Sequence, residues 1–298
     1  MINKNIKNGE EIQLNLPIPV NYLFYKLENT KAHVNIAGDY LGDRAKNSKI
    51  STNQAGDYAG EKIEGCELHV DIAGNYLGFK ARNSKIYAEE AKVYAGLDIE
   101  ECELHVKKAQ NYLGNYAKNS KIYANQAGDY AGESIERCEL HVDIAGDYLG
   151  ENSKSSKIYA NKSRDNIGCY MNGCELHVNI AGDYLGNGAK NSKIYANQAG
   201  DYAGEKIEEC ELHVKKADYI LGRKAENSKI YVEEAGNSVG SSMKDSGLYI
   251  YKLEGELAES CLTGNNKVYL GEESYKKHPL KYRLKEVKIW KEKTLKRY

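Results

Sequence analysis

The sequence predicts an all-β chain that folds as a parallel β-helix of about 12 to 13 coils of 18 residues, with a cap at either end. Two observations lead to this prediction. From Ala37 to Lys252 the chain divides without a gap into twelve rows of 18 residues, and position 6 of every row is Gly while position 14 is always Ile or Leu. Because one short row cannot bury its apolar side alone, such rows must stack on one another.

Each row is predicted to contain one β-strand around positions 13 to 17, counting Ala37 as position 1. Position 14 is apolar, as in Ile50 and Leu68, and position 16 is nearly always Ala or Val. Apolar residues two apart with polar neighbours are typical of a half-buried strand, so that positions 14 and 16 point inward and positions 13, 15 and 17 outward. Gly at positions 2 and 6 and Asp or Asn at position 3 mark the bends.

Adjacent rows alternate in charge and in size. Position 13 alternates between Lys and Glu from Lys49 and Glu67 onward. Because neighbouring coils lie about 4.8 Å apart, each Lys is expected between two Glu residues. A row that is large at position 5, such as Leu41, is small at position 9, such as Ala45, and the next row reverses this order. Neighbouring layers are therefore expected to interdigitate.

Composition favours a soluble globular or solenoid protein. The net charge is -1 and 41% of the residues are hydrophobic, which is typical neither of a disordered chain nor of a globally basic nucleic-acid binder. No stretch approaches the roughly 18 apolar residues of a membrane span, and the first residues lack the apolar core of a signal peptide. We therefore expect a cytoplasmic protein without a membrane partner.

The two ends are predicted to close the stack. Residues 1–36 are expected to form an N-terminal cap with a degraded first coil, and residues 253–298 a C-terminal cap with a basic tail. Two interpretations of the tail stay open: a cap folded over the open end, or a basic segment that docks an acidic partner or nucleic acid. The candidate interaction surface predicted here consists of Lys281, Arg283, Lys285, Lys288 and Trp290.

Five rows contain the spacing Cys-Glu-Leu-His, as in Cys66 to His69, which looks like a metal-binding spacing. Positions 12 and 15 have opposite parity on a strand, so that Cys points inward and His outward and one ion cannot bind both. Cysteines alternate with Ser along position 12, and two rows separate neighbouring cysteines by roughly 9.6 Å, too far for a disulfide. We predict no metal site and interpret the cysteines as small buried fillers.

Two further columns allow both a structural and a functional interpretation. Asp or Asn at position 3, from Asp39 onward, suggests calcium, but the Gly-Gly-x-Gly-x-Asp repeat of calcium solenoids is absent, and a ladder of Asx turns accounts better for the column. Tyr at position 4, from Tyr40 onward, forms either an aromatic ladder that stabilises the stack or a stripe on which sugars or bases stack. We favour the ladder.

No catalytic residue is predicted. Hexapeptide acyltransferases repeat an aliphatic residue every six positions, and no frame of these rows does so. Polysaccharide lyases carry their active sites on long irregular loops, which arise from insertions, and the twelve rows contain no insertion. One row, SRDNIGCYMNGCELHVNI from Ser163, departs from the pattern. Its residues Arg164, Asp165, Cys169 and Tyr170 form a second candidate interaction surface, unless they reflect drift of the repeat.

The repeat Ala-Gly-Asp-Tyr-x-Gly, followed by a residue such as Ile63 or Met171, then Gly or Cys, then Ile/Leu-x-Val, resembles the GXGXG repeat of the C-terminal domain of the glutamate synthase large subunit and of the β-helical subunit of formylmethanofuran dehydrogenase. The resemblance covers residues 37–252 and implies a single-stranded right-handed β-helix. In those families the β-helix braces catalytic parts and binds no cofactor itself. The resemblance therefore implies that the chain binds no cofactor. It also implies protein partners that include redox subunits.

These observations predict a non-catalytic scaffold or structural subunit that mediates protein–protein assembly, in an oxidoreductase complex of the glutamate synthase or formylmethanofuran dehydrogenase type. The alternative is a stand-alone module that binds a glycan or another extended ligand through its Tyr and His/Tyr columns. Binding of nucleic acid by the basic tail is a third hypothesis, which the overall charge does not favour.

Overall fold

The computed structural model describes Gly9 and residues 11–277 and 287–290. The chain divides into two compact units, Met1–Gly146 and Asp147–Tyr298. In each unit, parallel strands follow one another in chain order and form the coils of a β-solenoid. The predicted fold class is therefore confirmed for both units.

The first unit contains eight strands among its described residues, and each strand pairs in parallel with the next one along the chain. The register advances by one row per coil, as in the pairing of Lys49 with Glu67. The strands are β1 Glu11–Leu14, β2 Lys31–Ile36, β3 Lys49–Ala55, β4 Glu67–Ala73, β5 Lys85–Ala91, β6 Glu103–Ala109, β7 Lys121–Ala127 and β8 Glu139–Ala145.

The second unit has the same parallel order among its described residues. Its strands are β9 Lys157–Ser163, β10 Glu175–Ala181, β11 Lys193–Ala199, β12 Glu211–Ala217, β13 Lys229–Ala235, β14 Gly247–Leu253, β15 Lys267–Gly271 and β16 Val287–Trp290. Strands β15 and β16 belong to the segment predicted as a C-terminal cap, and they continue the parallel pairing, with Lys267 opposite Gly247 and Val287 opposite Val268. Parallel coils thus extend beyond the twelve regular rows.

Helix is scarce in the described residues. A 3-10 helix, Glu259–Leu262, precedes β15, and the α-helix α1, Glu272–Lys277, follows it. None of the described helices combines the length and the apolar character that crossing a membrane requires. The cytoplasmic location therefore stays a prediction.

The predicted direction of the strand side chains is confirmed. In β4, Leu68 and Val70 are buried, whereas Glu67 and His69 are half-exposed and Asp71 is exposed. The same alternation recurs in β5, β7, β11 and β12. The core therefore lies inside the coil, and position 15 faces outward along the strand face.

The corner of each row depends on left-handed backbone conformations at residues other than glycine. Tyr40, Arg44 and Asn47, at positions 4, 8 and 11, have φ of 61°, 57° and 46°. Their N–H groups donate to carbonyls of the following row, as in Tyr40 N–H to the carbonyl of Asp57 at 2.8 Å. Gly42 N–H donates instead to Leu23 of the preceding row at 2.8 Å. This alternation satisfies the corner's backbone groups, which would otherwise be buried without partners.

Glycine at position 6 is required by both conformation and space. Gly60 has φ of 71°, and a Cβ added to it would lie 2.5 Å from Cδ2 of Leu68, the position-14 residue of the same row. The coil is therefore so thin at this point that the backbone of the corner touches the side chain of the strand. A side chain at position 6 would separate the two walls of the core.

The predicted alternation of surface charge is confirmed. At position 13, Lys49 Nζ lies 2.7 Å from Glu67 Oε1, and at position 10 Lys46 Nζ lies 2.8 Å from Glu64 Oε2. About half of each lysine side chain is exposed. Such pairs add little stability individually, but they prevent equal charges from stacking and so favour the observed register.

Candidate functional site

Position 4 forms a continuous aromatic column in the first unit, consisting of Tyr22, Tyr40, Tyr58, Tyr76, Tyr94, Tyr112 and Tyr130. Ring centroids are 4.6 Å apart for Tyr22 and Tyr40 and 5.2 Å apart for Tyr112 and Tyr130. The planes are nearly parallel, at most 13° apart. The predicted aromatic ladder is therefore confirmed. Neighbouring rings cover both faces of each inner ring, so that edges rather than faces are available to a ligand.

The same column is interrupted in the second unit. Tyr184 and Tyr202 stack with centroids 4.9 Å apart, but position 4 is Asn166 in the deviant row and Ile220 further along. Asn166 and Ile220 have φ of 61° and 60°, within the range of 59° to 66° found for the tyrosines at position 4 of the twelve regular rows. The corner therefore keeps its conformation without the ring.

Position 15 forms a second aromatic column on the strand face, in which His and Tyr alternate. Ring centroids are 4.6 Å apart for His69 and Tyr87 and for His105 and Tyr123. Nε2 of His105 lies 2.7 Å from Oε1 of Glu103 in its own row. This hydrogen bond is the main cause that lowers the pKa of Glu103. The same contact is made by His69 with Glu67, His141 with Glu139, His177 with Glu175 and His213 with Glu211.

An open groove of about 300 Å³ follows this column in the first unit. One wall is the aromatic column, and the other is formed at position 17 by Asp71, Glu89, Lys107 and Asn125. Glu89 and Lys107 form an ion pair with 2.5 Å between Oε2 and Nζ. A ligand in this groove would meet ring edges and charged groups, so the groove favours hydrogen bonding over ring stacking.

The position-12 column is a hydrogen-bonded ladder inside the coil. Cys66 is 4% exposed, and its N–H donates to Oγ of Ser84 in the next row at 3.0 Å. The hydroxyl of Ser84 donates in turn to the carbonyl of Arg82 at 2.7 Å. Burial raises the pKa of the Cys102 thiol to about 11, so the thiol stays protonated at neutral pH and is a poor nucleophile. Burial of the cysteines is confirmed, and the hydrogen bonds between rows add a role that the sequence did not reveal.

The Cys-Glu-Leu-His rows hold their two potential metal ligands apart. The two side chains of each row point in opposite directions, as Cys66 is buried and His69 is half-exposed. In the part of the chain that the structure describes, no three His, Cys, Asp or Glu side chains are grouped so that they could hold a metal ion. The geometry therefore offers no support for zinc at these rows.

Position 3 connects successive rows through its side chains. Oδ1 of Asp39 accepts the N–H of Asp57 at 2.8 Å, and Oδ1 of Asp57 accepts that of Asn75 at 2.7 Å. The Asx-turn prediction differs from this geometry, because the acceptor serves the next row. Gly at position 2 leaves the necessary space, since a Cβ on Gly56 would lie 2.2 Å from Oδ1 of Asp39. Positions 2 and 3 therefore act together across two rows.

In the deviant row, Asp165 belongs to this position-3 column and Arg164 stands at position 2, where most rows have Gly. Nε of Arg164 lies 3.3 Å from Oδ1 of Asp147, with 61% of the Arg164 side chain exposed. The N–H of Asp165 donates to the same oxygen at 3.1 Å, and Oδ1 of Asp165 accepts the N–H of Asp183 at 2.9 Å. Arg164 thus places a cation beside the acidic column of the second unit.

Cys169 and Tyr170 lie on different sides of the corner. Cys169 is 2% exposed, and burial, followed by the charge of Glu151, raises the pKa of its thiol to about 12. Its thiol therefore lies in the interior, outside any interaction surface. Tyr170 is 57% exposed, and its ring covers Gly188 of the next row, whose added Cβ would lie 2.7 Å from Cδ1 of Tyr170. Of the four predicted residues, only Arg164, Asp165 and Tyr170 are accessible.

The basic C-terminal surface is described only in part. Lys288 is exposed on β16, and the backbone of Trp290 pairs with Gly271. Lys281, Arg283 and Lys285 lie outside the described residues, as does the side chain of Trp290. The role of this surface stays a prediction.

Sequence reasoning missed a pair of buried acids at position 7. Asp43 and Glu61, in adjacent rows, are 6% and 8% exposed. Burial, followed by the charge of Glu61, raises the pKa of Asp43. Nε of Arg44 lies 3.7 Å from Oδ1 of Asp43, and Lys62 pairs with Glu61. The signal available in the sequence was an acidic residue followed directly by a basic one in two successive rows.

Among known proteins, no family model, no curated protein and no solved structure matches this chain.

Proposed function

We propose that this chain is a non-catalytic β-helical scaffold that mediates protein–protein assembly. The uniform row length is the observation that supports this most, because residues 37–252 contain no insertion from which a catalytic pocket would be built. Many polar side chains of the rows, such as Ser84 and Asp39, are engaged by neighbouring rows. The surface that remains is a set of regular columns, which suits an extended interface with another protein.

The strand face supports a protein as the partner. Ile72, next to the groove residue Asp71, is 49% exposed, and Lys107 and Glu89 line the same groove. Exposed apolar side chains mixed with charged ones are typical of protein interfaces. The resemblance of the repeat to the glutamate synthase and formylmethanofuran dehydrogenase β-helices supports redox subunits of a cytoplasmic complex as the partners.

The first test is native purification of the chain at its natural abundance from its own cells, with its mass measured and any bound proteins identified. We expect redox subunits in fixed stoichiometry. A chain that remains alone at low ionic strength would contradict the scaffold.

Charge exchanges then locate the interface. The double variant Glu89→Lys with Lys107→Glu keeps the ion pair but inverts its direction on the strand face, so we expect weaker retention of the partner and unchanged melting. The matched control is Lys46→Glu with Glu64→Lys at position 10. Lys288→Glu tests the basic surface of β16 in the same assay. Equal retention by all three variants would place the interface elsewhere.

A stand-alone module for an extended ligand such as a glycan is the second candidate, and the groove beside the His/Tyr column favours it. The ligand would contact ring edges at Tyr87 and Tyr123, where stacking partners cover the faces. Replacing Tyr87, Tyr123 and Tyr159 by Ser should abolish glycan binding measured on an array. Undiminished binding by the triple variant would rule out this site.

A further inference from the structure

Four cations follow one another at position 8 in successive rows of the first unit. This basic stripe consists of Lys26, Arg44, Lys62 and Lys80, and Asp98 in the next row ends it. All four side chains are exposed, and their φ angles lie between 53° and 57°, so they leave the corner from the same backbone conformation. Like charges in adjacent rows repel one another, which the alternating columns at positions 10 and 13 avoid.

The stripe keeps the spacing of the coils. The tyrosines at position 4 of the same four rows have ring centroids 4.6, 4.9 and 4.7 Å apart. Backbone hydrogen bonds maintain this register, as the Lys26 N–H donates to the carbonyl of Asp43 and the Arg44 N–H to that of Glu61, each at 2.8 Å. The four cations therefore extend over about 14 Å along the stack.

The two middle cations are paired with the buried acids of position 7. Nε of Arg44 lies 3.7 Å from Oδ1 of Asp43, and Lys62 pairs with Glu61. The side chains of Arg44 and Lys62 are nevertheless 51% and 41% exposed. The acids thus lie beneath the cations and leave their outer side accessible.

The two outer cations lie over aromatic rings instead. Nζ of Lys26 is 5.2 Å from the ring centroid of Tyr25, and Nζ of Lys80 is 5.0 Å from that of Phe79. An aromatic ring attracts a cation but does not neutralise its charge. Positions 7 and 8 of these four rows therefore carry four positive and two negative charges.

The columns on either side do not cancel this excess at position 8. At position 10 of the same rows two acids alternate with two bases, and position 11 is Asn or Gly. The acids of position 3 are engaged by the backbone, since Oδ1 of Asp39 accepts the N–H of Asp57 and Oδ1 of Asp57 accepts that of Asn75. The stripe is thus a local basic surface on a chain whose net charge is -1.

The surroundings of the stripe favour carboxylates over nucleic acid. Binding of a single nucleic-acid strand combines cations with ring faces on which bases stack. In these rows the rings of Tyr40 and Tyr58 are covered by stacked neighbours on both sides. The carboxylates of a protein segment need only the cations, which supply charge-assisted hydrogen bonds.

We propose that the basic stripe docks an acidic segment of the protein partner, whose carboxylates pair with the four cations along the column. This inference rests on the proposed function, because the segment belongs to the partner. It adds a contact at the corner to the one on the strand face. Charge complementarity of this kind selects the partner and speeds its association.

The first experiment measures the stripe without the partner. Fluorescein-labelled octaglutamate is titrated into the full chain at low ionic strength and followed by fluorescence anisotropy. Lys26→Gln with Lys80→Gln removes the outer cations and keeps both pairs over the buried acids, and we expect the dissociation constant to rise at least fivefold. The matched control, Lys49→Gln with Lys85→Gln at position 13, changes the net charge equally and should raise it less than twofold. Circular dichroism during thermal unfolding verifies that each variant is folded.

A variant that strengthens binding excludes misfolding as the explanation. Asp43→Asn with Glu61→Gln removes the two negative charges beneath the stripe, and we expect octaglutamate to bind at least threefold more tightly. No gain in this variant, equal loss in the two lysine variants, or no saturable binding by the natural chain overturns the proposal. An oligothymidylate of the same length that binds as tightly as octaglutamate overturns the choice of an acidic protein segment.

The second experiment compares retention of the identified redox partner by the natural chain and by Lys26→Gln with Lys80→Gln. We expect at least fivefold weaker retention by the variant. Unchanged retention overturns the assignment of the stripe to the partner. This failure is distinguishable from failure of the proposed function, since octaglutamate binding does not depend on whether a partner exists.

Discussion

The position-4 column is unbroken in the first unit and interrupted in the second, although the coils beneath it are built in the same way. Tyr94 stacks on both neighbours at 5.0 and 4.7 Å, whereas Asn166 and Ile220 hold the corresponding corners without a ring. The glycine at position 6 and the aliphatic residue at position 14 do not change between the units. The corner is therefore determined by the core and the backbone hydrogen bonds, and the ring at position 4 is free to vary.

The largest expected effect concerns what both units share. Gly96→Ala in the first unit and Gly204→Ala in the second place a Cβ 2.4 Å from Cδ2 of Leu104 and 2.6 Å from Cδ2 of Leu212, at φ of 72° and 68°. Left-handed strain and overpacking together should lower the free energy of unfolding by about 2–5 kcal/mol in each case. Urea denaturation followed by circular dichroism measures this loss.

Gly173→Asn is the matched control. Its φ is 66°, its added Cβ meets nothing nearer than Ser155 Oγ at 3.7 Å, and Asn is common at position 11 of the other rows. We expect a change within about 0.5 kcal/mol. If both position-6 variants are as harmless as this control, the thin core at the corner does not determine the coil.

The position-12 ladder should also respond equally in both units. Ser84→Ala removes the acceptor of the Cys66 N–H, and Ser192→Ala removes that of the Cys174 N–H at 3.1 Å. A buried N–H without a partner costs about 1–3 kcal/mol, which is again measurable by urea denaturation. Ser84→Cys restores a thiol acceptor of the kind found in alternate rows and should recover part of the loss. Equal stability of the Ala and Cys variants would argue against the hydrogen bond.

Position 4 is where the two units should differ. Tyr94→Asn removes two stacked contacts and should lower the free energy of unfolding by about 1–3 kcal/mol. Ile220→Asn, in the second unit, removes no ring contact and replaces a smaller side chain than tyrosine. We therefore expect it to lower the free energy of unfolding by less. Comparison of the two melting temperatures tests this expectation, and an equal loss for both variants would mean that ring stacking adds nothing to the column.

The smallest effect concerns Asp43 and Glu61, the buried acids at position 7 in the first unit. In the deviant row of the second unit, position 7 is Cys169. Because burial and Glu61 raise the folded-state pKa of Asp43 above 3.8, its ionised form opposes folding at neutral pH. Stability is regained as the pH falls through the raised pKa towards 3.8. Asp43→Asn should therefore melt slightly higher than the natural chain at pH 7 and equally below pH 3.8. A lower melting temperature at pH 7 would show that the charge is needed.

Much of the fold could be predicted because it depends on residues that are close along the chain. Leu68 and Val70 alternate with outward neighbours within one strand, and the alternation of Lys49 with Glu67 follows from stacking equal rows. The left-handed conformation of Tyr40 could not be predicted, because residues other than glycine adopt it rarely. In the structure the Tyr40 N–H donates to the carbonyl of Asp57 in the next row at 2.8 Å, a contact that a single row does not contain.

By itself, the sequence determined the 18-residue coil, the inward side of each strand and the aromatic ladder, since period and parity depend on local geometry. Only the tertiary structure decided that the Asp39 side chain accepts a hydrogen bond from the next row, and that Ser84 of the next row accepts the N–H of Cys66. Each of these depends on how residues 18 positions apart meet at a corner. The direction in which a side chain leaves a left-handed corner depends on the backbone of the stacked rows. A residue pattern within a single row does not contain this information.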